Sequence, residues 1–185
     1  MNVDTIFALL GALSFRQAVW LFPLATALHF LEEAPQFSNW ARTHALPGYT
    51  RKRWARIHGI GLAYAIAFSA LVSLFPSRLA VFLFFALCFS EILFNTLFHA
   101  SATAFFGVYC PGLITALILY PPLFWFLSQI ASHQGLLSSS VWLWALAIAG
   151  VIHTLDVAAS VFGVKLLRIE NKGVRAQVGP RQPSL

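Results

Sequence analysis

The sequence predicts an all-α protein, a transmembrane bundle of about five spanning helices. Of its 185 residues, 59% are hydrophobic and only 10% are charged, and the mean hydropathy is +0.76. Soluble domains usually carry about 25% charged residues. In addition, long uncharged apolar runs recur along the chain and are separated by short polar stretches. These observations together indicate a polytopic helical membrane protein.

Five apolar stretches approach the length of about 20 residues that a helix needs to cross a bilayer. In chain order they cover residues 18–34, 57–75, 79–99, 111–130 and 141–167. Pro35 and Pro76 favour the ends of the first two spans, and Pro121-Pro122 favours a kink in the fourth. Residues 36–56 and 100–109 are predicted to be loops. Whether residues 5–15 extend the first span stays open, because Arg16 interrupts the apolar run.

No linker divides the chain, so we predict one transmembrane helical domain over residues 1–169 and a mobile cytoplasmic tail over residues 170–185. Basic residues cluster after the first span and around the end of the last. By the positive-inside rule this places the N-terminus outside and the C-terminus inside, in what we expect to be a bacterial inner membrane. The same placement explains the net charge of +6 without nucleic acid. Cys88 and Cys110 lie in or beside apolar runs, so packing is expected for them and not a disulfide.

The segment His29-Phe30-Leu31-Glu32-Glu33 concentrates ionisable groups at the end of the first span. Residues at i, i+3 and i+4 share a helix face, which places His29, Glu32 and Glu33 on the same side. Ionisable groups within a membrane helix are unfavourable unless they are paired, and they commonly mark functional sites. This segment is therefore the centre of the predicted site.

Two further spans carry polar residues at helical spacing. Glu91, Asn95 and His99 are spaced by four, and His153 and Asp156 are spaced by three, so each set shares a face. A single buried His or Asn often only joins helices through hydrogen bonds, an interpretation open for His58, His153 and Asn95. Glu91 could also be a protonated carboxyl group in apolar surroundings.

Imidazole and carboxylate ligands without thiolate suit Zn, Fe or Mn, and we predict one or two divalent ions. The predicted ligands are His29, Glu32 and His99, with His153 and Asp156 as further ligands or as groups that orient them. Glu33 is predicted as the general base that activates water at the metal. Asn95 is predicted to position a ligand or an oxyanion, and Glu91 completes the predicted catalytic set.

The sequence resembles a family of small integral membrane proteins named for a His-x-x-Glu-Glu (HXXEE) motif. That motif is His29-Phe30-Leu31-Glu32-Glu33 here, and the companion Asn-x-x-x-His motif is Asn95-Thr96-Leu97-Phe98-His99. A third element of Arg-His type is not matched plainly, because Arg56-Ile57-His58 has one extra residue. The resemblance implies an enzyme whose reaction is undefined.

We therefore predict a metal-dependent membrane enzyme that acts on a membrane lipid or an apolar small molecule near the cytoplasmic leaflet. Hydrolysis is favoured over oxidation, because nothing in the sequence requires oxygen or electron partners. One alternative is a transporter or channel that uses Glu91, His153 and Asp156 as a proton or cation relay. Another is a lipid-binding or assembly protein without catalysis.

Overall fold

The structure is a computed structural model that describes residues 13–136, 138, 142–155 and 158. The described residues form helices and turns and contain no strand, which confirms the all-α class. In chain order the helices are α1 (Phe15–Ala18), α2 (Leu21–Glu33), α3 (Phe37–His44), α4 (Arg51–Leu74), α5 (Arg78–Phe106), α6 (Leu113–Ile118), α7 (Tyr120–His133) and α8 (Trp142–Leu155).

Three stretches of the described chain are long and apolar enough to cross a membrane, namely α4, α5 and the combined α6–α7 segment Leu113–His133. They correspond to the second, third and fourth predicted spans. The first predicted span contains α2, which has 13 residues, and the fifth contains α8, a shorter apolar helix. Five spans and the orientation of the termini therefore stay predictions. Residues 1–12 and the tail 170–185 lie outside the described residues.

The outer surface of these helices is apolar, as expected for contact with lipid. Leu74, Leu79 and Leu143 are each more than 60% exposed, and Phe105 is 83% exposed. Large apolar side chains exposed on long apolar helices favour contact with lipid over contact with water. The exposed side chains and the three long helices together indicate a membrane protein.

The prediction of a loop over residues 36–56 is wrong in part, because the segment contains α3 and the first turns of α4. α3 is amphipathic and buries Phe37, Trp40 and Ala41 at i, i+3 and i+4. Thr50 caps α4 by accepting a hydrogen bond from the backbone N–H of Arg53 at 3.2 Å. The polar residues predicted as a loop thus form the outward face of one helix and the first turns of another.

α5 also exceeds its predicted end at residue 99, and it is not regular throughout. It consists of α-helix Arg78–Cys88, a π-helical turn Phe89–Phe94 and α-helix Asn95–Phe106. Gly107 ends it with a φ of +64°, the left-handed conformation common after helix C-termini. The connection to α6 is consequently only residues 107–112.

Two apolar clusters flank the polar centre of the molecule. The larger cluster joins α1, α2, α4, α5, α7 and α8, and its rings include Phe15 stacked on Phe85 at 5.7 Å. The smaller cluster surrounds α3 and includes Phe37, Tyr49 and Cys110. Between them lie buried histidines from α2 and α5, which these clusters hold in place.

Candidate metal centre

The last turn of α2 and the second half of α5 bring three potential metal ligands together. His29, Glu33 and His99 are buried, with exposures of 0%, 2% and 0%. Glu33 Oε1 lies 3.3 Å from His29 Nε2 and 3.0 Å from His99 Nε2. The three side chains offer ligand atoms within 4.8 Å of one another, so the group could hold a metal ion.

The hydrogen bonds of His29 define which of its ring nitrogens carries a proton. Asn95 Nδ2 lies 2.9 Å from His29 Nε2, and Thr115 Oγ1 lies 2.9 Å from His29 Nδ1. An amide NH₂ only donates, so Nε2 accepts and Nδ1 carries the hydrogen in the neutral ring. His29 Nε2 and Glu33 Oε1 are then two acceptors 3.3 Å apart. His29 Nε2 has a single lone pair, so a metal ion placed between it and Glu33 would take the position of the Asn95 N–H as its partner.

His99 also directs a ring nitrogen at Glu33 without forming a hydrogen bond. Its Nε2 is near Glu33 Oε1, yet the direction of approach does not make a hydrogen bond, and this buried nitrogen has no hydrogen-bond partner. Its Nδ1 lies 3.2 Å from Cys110 Sγ. Buried polar atoms without a partner are uncommon. Ligands about 2.0–2.2 Å from a tetrahedral zinc ion are about 3.3–3.6 Å apart, close to the observed separations.

The other carboxylate oxygen of Glu33 is held by α4. Trp54 Nε1 donates to Glu33 Oε2 at 2.9 Å, and His58 Nε2 lies 2.5 Å from the same oxygen. His58 Nδ1 is 2.9 Å from the Trp54 carbonyl, which can only accept, so Nδ1 carries a hydrogen. The contact between His58 Nε2 and Glu33 Oε2 therefore holds one further proton. His58, whose role the sequence left open, is a direct partner of the centre.

Glu32, adjacent to Glu33, binds a different part of the molecule. Its carboxylate accepts backbone N–H bonds from Gly112, Ile114 and Thr115 at 3.1, 3.2 and 2.8 Å. It also accepts from Thr115 Oγ1 at 2.5 Å and from the Tyr109 hydroxyl. Burial and the bond to Glu32 raise the pKa of Tyr109 to about 12, so its hydroxyl stays protonated and can donate. We call this group, Glu32 with its four partners, the Glu32 clamp.

The Glu32 clamp holds the N-terminus of α6, where unpaired backbone N–H groups favour a negative charge. Glu32 is not one of the three convergent ligand side chains. Its predicted role as a metal ligand stays a prediction, and the geometry favours Glu33 for that position. Glu32 and Glu33 therefore lie on the same helix turn but have different partners.

Gly112 lies within the clamp and packs directly on the centre. Its φ is +103°, and a Cβ there would lie 2.7 Å from the Cε1 atoms of both His29 and His99, and 3.0 Å from Glu33 Cγ. The absence of a side chain therefore lets the backbone close over the ligands. Gly112 was not predicted from the sequence, although Pro111-Gly112 in an uncharged connection is a turn signal.

A cavity of about 430 Å³ adjoins the centre on the side of His58. Glu33, His58 and Asn95 line it, together with Glu91 and His153. The His153 ring stacks on Phe94 with centroids 5.7 Å apart. Glu91 and His153 thus face the cavity and are not among the three convergent ligands, and their predicted roles stay predictions. Asp156 lies outside the described residues.

Comparisons with known proteins agree with the motif. A family model described as a protein of unknown function with HXXEE motif matches residues 20–127. This range contains the convergent ligands, the Glu32 clamp and most of the cavity wall, and it confirms the resemblance noted from the sequence. No curated protein and no solved structure matches the chain.

Proposed function

The chain belongs to the HXXEE family, whose function is unknown, and we propose that it is a membrane-embedded, metal-dependent hydrolase of a lipid-like or apolar substrate. The observation that carries this proposal is the convergence of His29 Nε2, His99 Nε2 and Glu33 Oε1. Two imidazoles and one glutamate are a ligand set found in catalytic zinc sites, where one position is left for water or substrate.

The surroundings of the three ligands support a catalytic use. Thr115 orients His29, and Trp54 and His58 hold the second oxygen of Glu33. Outer partners of this kind fix ligand orientation in metal sites. A divalent ion bound there would polarise a carbonyl group and lower the pKa of a water molecule. Zn, Fe and Mn all suit these donors, and zinc best suits hydrolysis without redox chemistry.

Proton transfer in this proposal belongs to His58. Its ring lines the cavity, and the proton available for transfer to a substrate is the one between its Nε2 and Glu33 Oε2, because its Nδ1–H is held by the Trp54 carbonyl. Glu33 then acts as a ligand in place of the general base predicted from the sequence. A metal ion bound at His29 Nε2 would displace the Asn95 amide from that nitrogen, and the amide, at the cavity wall, would then donate to an oxyanion.

The depth of the site follows from the basic start of α4. Arg51, Lys52 and Arg53 precede His58 by fewer than two turns, and basic residues favour the cytoplasmic side. We therefore place the reaction near the cytoplasmic leaflet. A membrane lipid or an apolar small molecule would reach it without leaving the bilayer.

The test is the metal content of detergent-purified protein, measured by elemental analysis. We expect about one ion per chain in the wild type and strongly reduced metal in His29→Ala and His99→Ala. His133→Ala is the control, because this exposed histidine at the end of α7 lies outside the cluster. His58→Gln should keep the metal and lower the hydrolysis of ester or amide substrates by about a hundredfold or more.

Other results would overturn the proposal. Wild-type protein that binds no divalent ion after zinc addition would remove its basis. If such protein also conducted protons in liposomes and Glu91→Gln abolished the flux, the relay function would replace the enzyme. Absence of both signals would favour a lipid-binding or assembly protein.

A further inference from the structure

The cavity beside the centre has the dimensions and walls of a small-molecule site. Its volume of about 430 Å³ falls within the range of about 300–1,000 Å³ typical of ligand pockets. Polar groups of Glu33, His58 and Asn95 meet at one part of the wall. The remainder is largely apolar and includes Phe30, Phe37, Ile57, Ile60, Leu87 and Phe98. A polar end and an apolar body match an amphiphile.

Part of the rim is exposed on the outer surface of the helices. Ile60 and Tyr64 of α4 line the cavity and are 51% and 55% exposed. Ile152 of α8 also lines it and is 40% exposed. α4 is long and apolar enough to span the membrane, so its exposed apolar side chains face lipid. The cavity is therefore reached sideways from the bilayer, between α4 and α8.

The charges of the wall restrict the head group of the occupant. Glu33 and Glu91 line the cavity, and none of the described lining residues is Lys or Arg. Without a metal ion, the proton between His58 and Glu33 only neutralises that pair, so an anionic head group would meet no net positive charge from it and would lie near Glu91, which disfavours an anion. An uncharged amide or ester offers a carbonyl to Asn95 and, in an amide, an N–H to a carboxylate.

Gly61 is the residue that leaves room for the alkyl chain. It lines the cavity on α4, opposite Phe30, and a Cβ at this position would lie 3.6 Å from Phe30 Cζ. That is ordinary contact, so alanine fits, whereas a larger side chain would occupy cavity volume. Gly59, two residues earlier, is exposed, and a Cβ there would meet nothing within 4 Å.

We propose that this cavity binds a single-chain lipid with an uncharged amide or ester head group, with its carbonyl at Asn95 and His58 and its alkyl chain past Gly61. The head-group position rests on the proposed hydrolase function, because it places the carbonyl beside the metal ligands. The binding of the chain itself does not depend on a metal.

The experiment measures equilibrium binding of radiolabelled palmitamide and palmitate to chelator-treated protein in nanodiscs, with empty nanodiscs as the blank. The wild type should bind palmitamide at least about tenfold more tightly than palmitate. Gly61→Leu should weaken palmitamide binding by about tenfold, because the leucine side chain would occupy cavity volume that the alkyl chain needs. It should weaken octanamide binding less, and Gly59→Leu should leave both unchanged.

Gly61→Ala provides a second variant that retains the fold if Gly61→Leu does not; its methyl group fits against Phe30 but takes a small part of the cavity, so it should weaken palmitamide binding less than Gly61→Leu does. Equal binding of palmitamide and palmitate, or equal effects of Gly61→Leu and Gly59→Leu, would overturn the proposal. Because no metal is present, these outcomes are separate from the hydrolase test. Protein that binds zinc but not palmitamide would overturn this inference alone.

Discussion

Glu32 and Glu33 are neighbours in the sequence but belong to two different regions of the molecule. Glu33 is buried among His29, His58 and His99, where each oxygen faces side-chain nitrogens. Glu32 lies nearer the surface and accepts mainly backbone N–H bonds from the start of α6. One carboxylate is suited to a cation, and the other holds the segment that covers it.

The different partners of Glu32 and Glu33 show that one helix turn can supply both a potential metal ligand and a residue that holds the segment covering it. Successive residues on a helix are about 100° apart, so adjacent side chains approach different neighbours. Glu33 points to α4 and α5, whereas Glu32 points to the 107–112 connection and α6. The two glutamates of the motif therefore have separate roles, and substitutions at the two positions should have different effects.

Glu33→Gln should abolish tight metal binding, with an affinity loss of about a thousandfold, or about 4 kcal/mol. The amide removes the charge that joins the imidazoles of His29 and His99. Glu32→Gln should lower zinc affinity by no more than the roughly tenfold to hundredfold typical of outer partners, because Glu32 reaches His29 only through Thr115. Competition titration with a zinc chelator measures both. Equal losses in the two variants would contradict the separation.

Gly112→Ala should destabilise the protein by about 3 kcal/mol, from a strained φ and the close approach of a methyl group to two imidazoles. Gly107→Ala is the matched control, because Gly107 also has a positive φ but a Cβ there meets nothing within 4 Å. Its cost should be about 1 kcal/mol. Chemical unfolding in detergent measures the free energy of each variant. If both variants lost the same stability, the contact with the ligands would be unimportant.

Glu32→Gln should reduce the free energy of unfolding by about 2 kcal/mol, since the neutral amide weakens hydrogen bonds to a charged acceptor that is partly solvated. Faster amide hydrogen exchange is expected at Gly112, Ile114 and Thr115, whose N–H groups the carboxylate holds. Exchange at residues of α4 should not change. Unaltered exchange at the start of α6 would argue against the Glu32 clamp.

Alkaline pH should weaken the connection through Cys110. Burial, followed by the negative charges of Glu33 and Glu32, raises the pKa of the Cys110 thiol from 9.0 to about 12. The folded state therefore favours the protonated thiol, and this stability is present below pH 9 and lost as pH rises toward 12. Between about pH 8 and about pH 10 the loss should be about 1 kcal/mol. Thermal unfolding of wild type and Cys110→Ala measures it, because the variant should lack this contribution.

The sequence was sufficient for the helical class and for the convergence of His29 with His99. Hydrophobic runs define helices, and costly polar groups in separate apolar helices favour a shared site. The sequence could not separate Glu32 from Glu33, because both lie on the face of His29, at i+3 and i+4. It also left His58 open, since a single histidine at a helix start has many structural uses.

The partners in the second half of the chain could not be predicted for another reason. Thr115, Gly112 and Cys110 reach the site through contacts between distant residues, as in the bond between His29 and Thr115, 86 positions apart. The periodicity of apolar and polar residues shows which residues share a face of one helix. It does not show which connection packs against that face. All of α3 and the first turns of α4 were missed because their polar residues resemble those of a loop.

The π-helical turn Phe89–Phe94 affects how side chains before and after it are oriented around the axis of α5. A turn of this kind accommodates one surplus residue locally, so the flanking α-helical parts keep their rotational phase. Deleting Leu93 should therefore leave His99 in place and displace chiefly Glu91. Deleting Leu97, where no such turn absorbs the change, should swing His99 by about 100° away from Glu33. The π-helical turn would thus let the segment that carries Glu91 lose one residue while the His99 side chain keeps its direction toward Glu33.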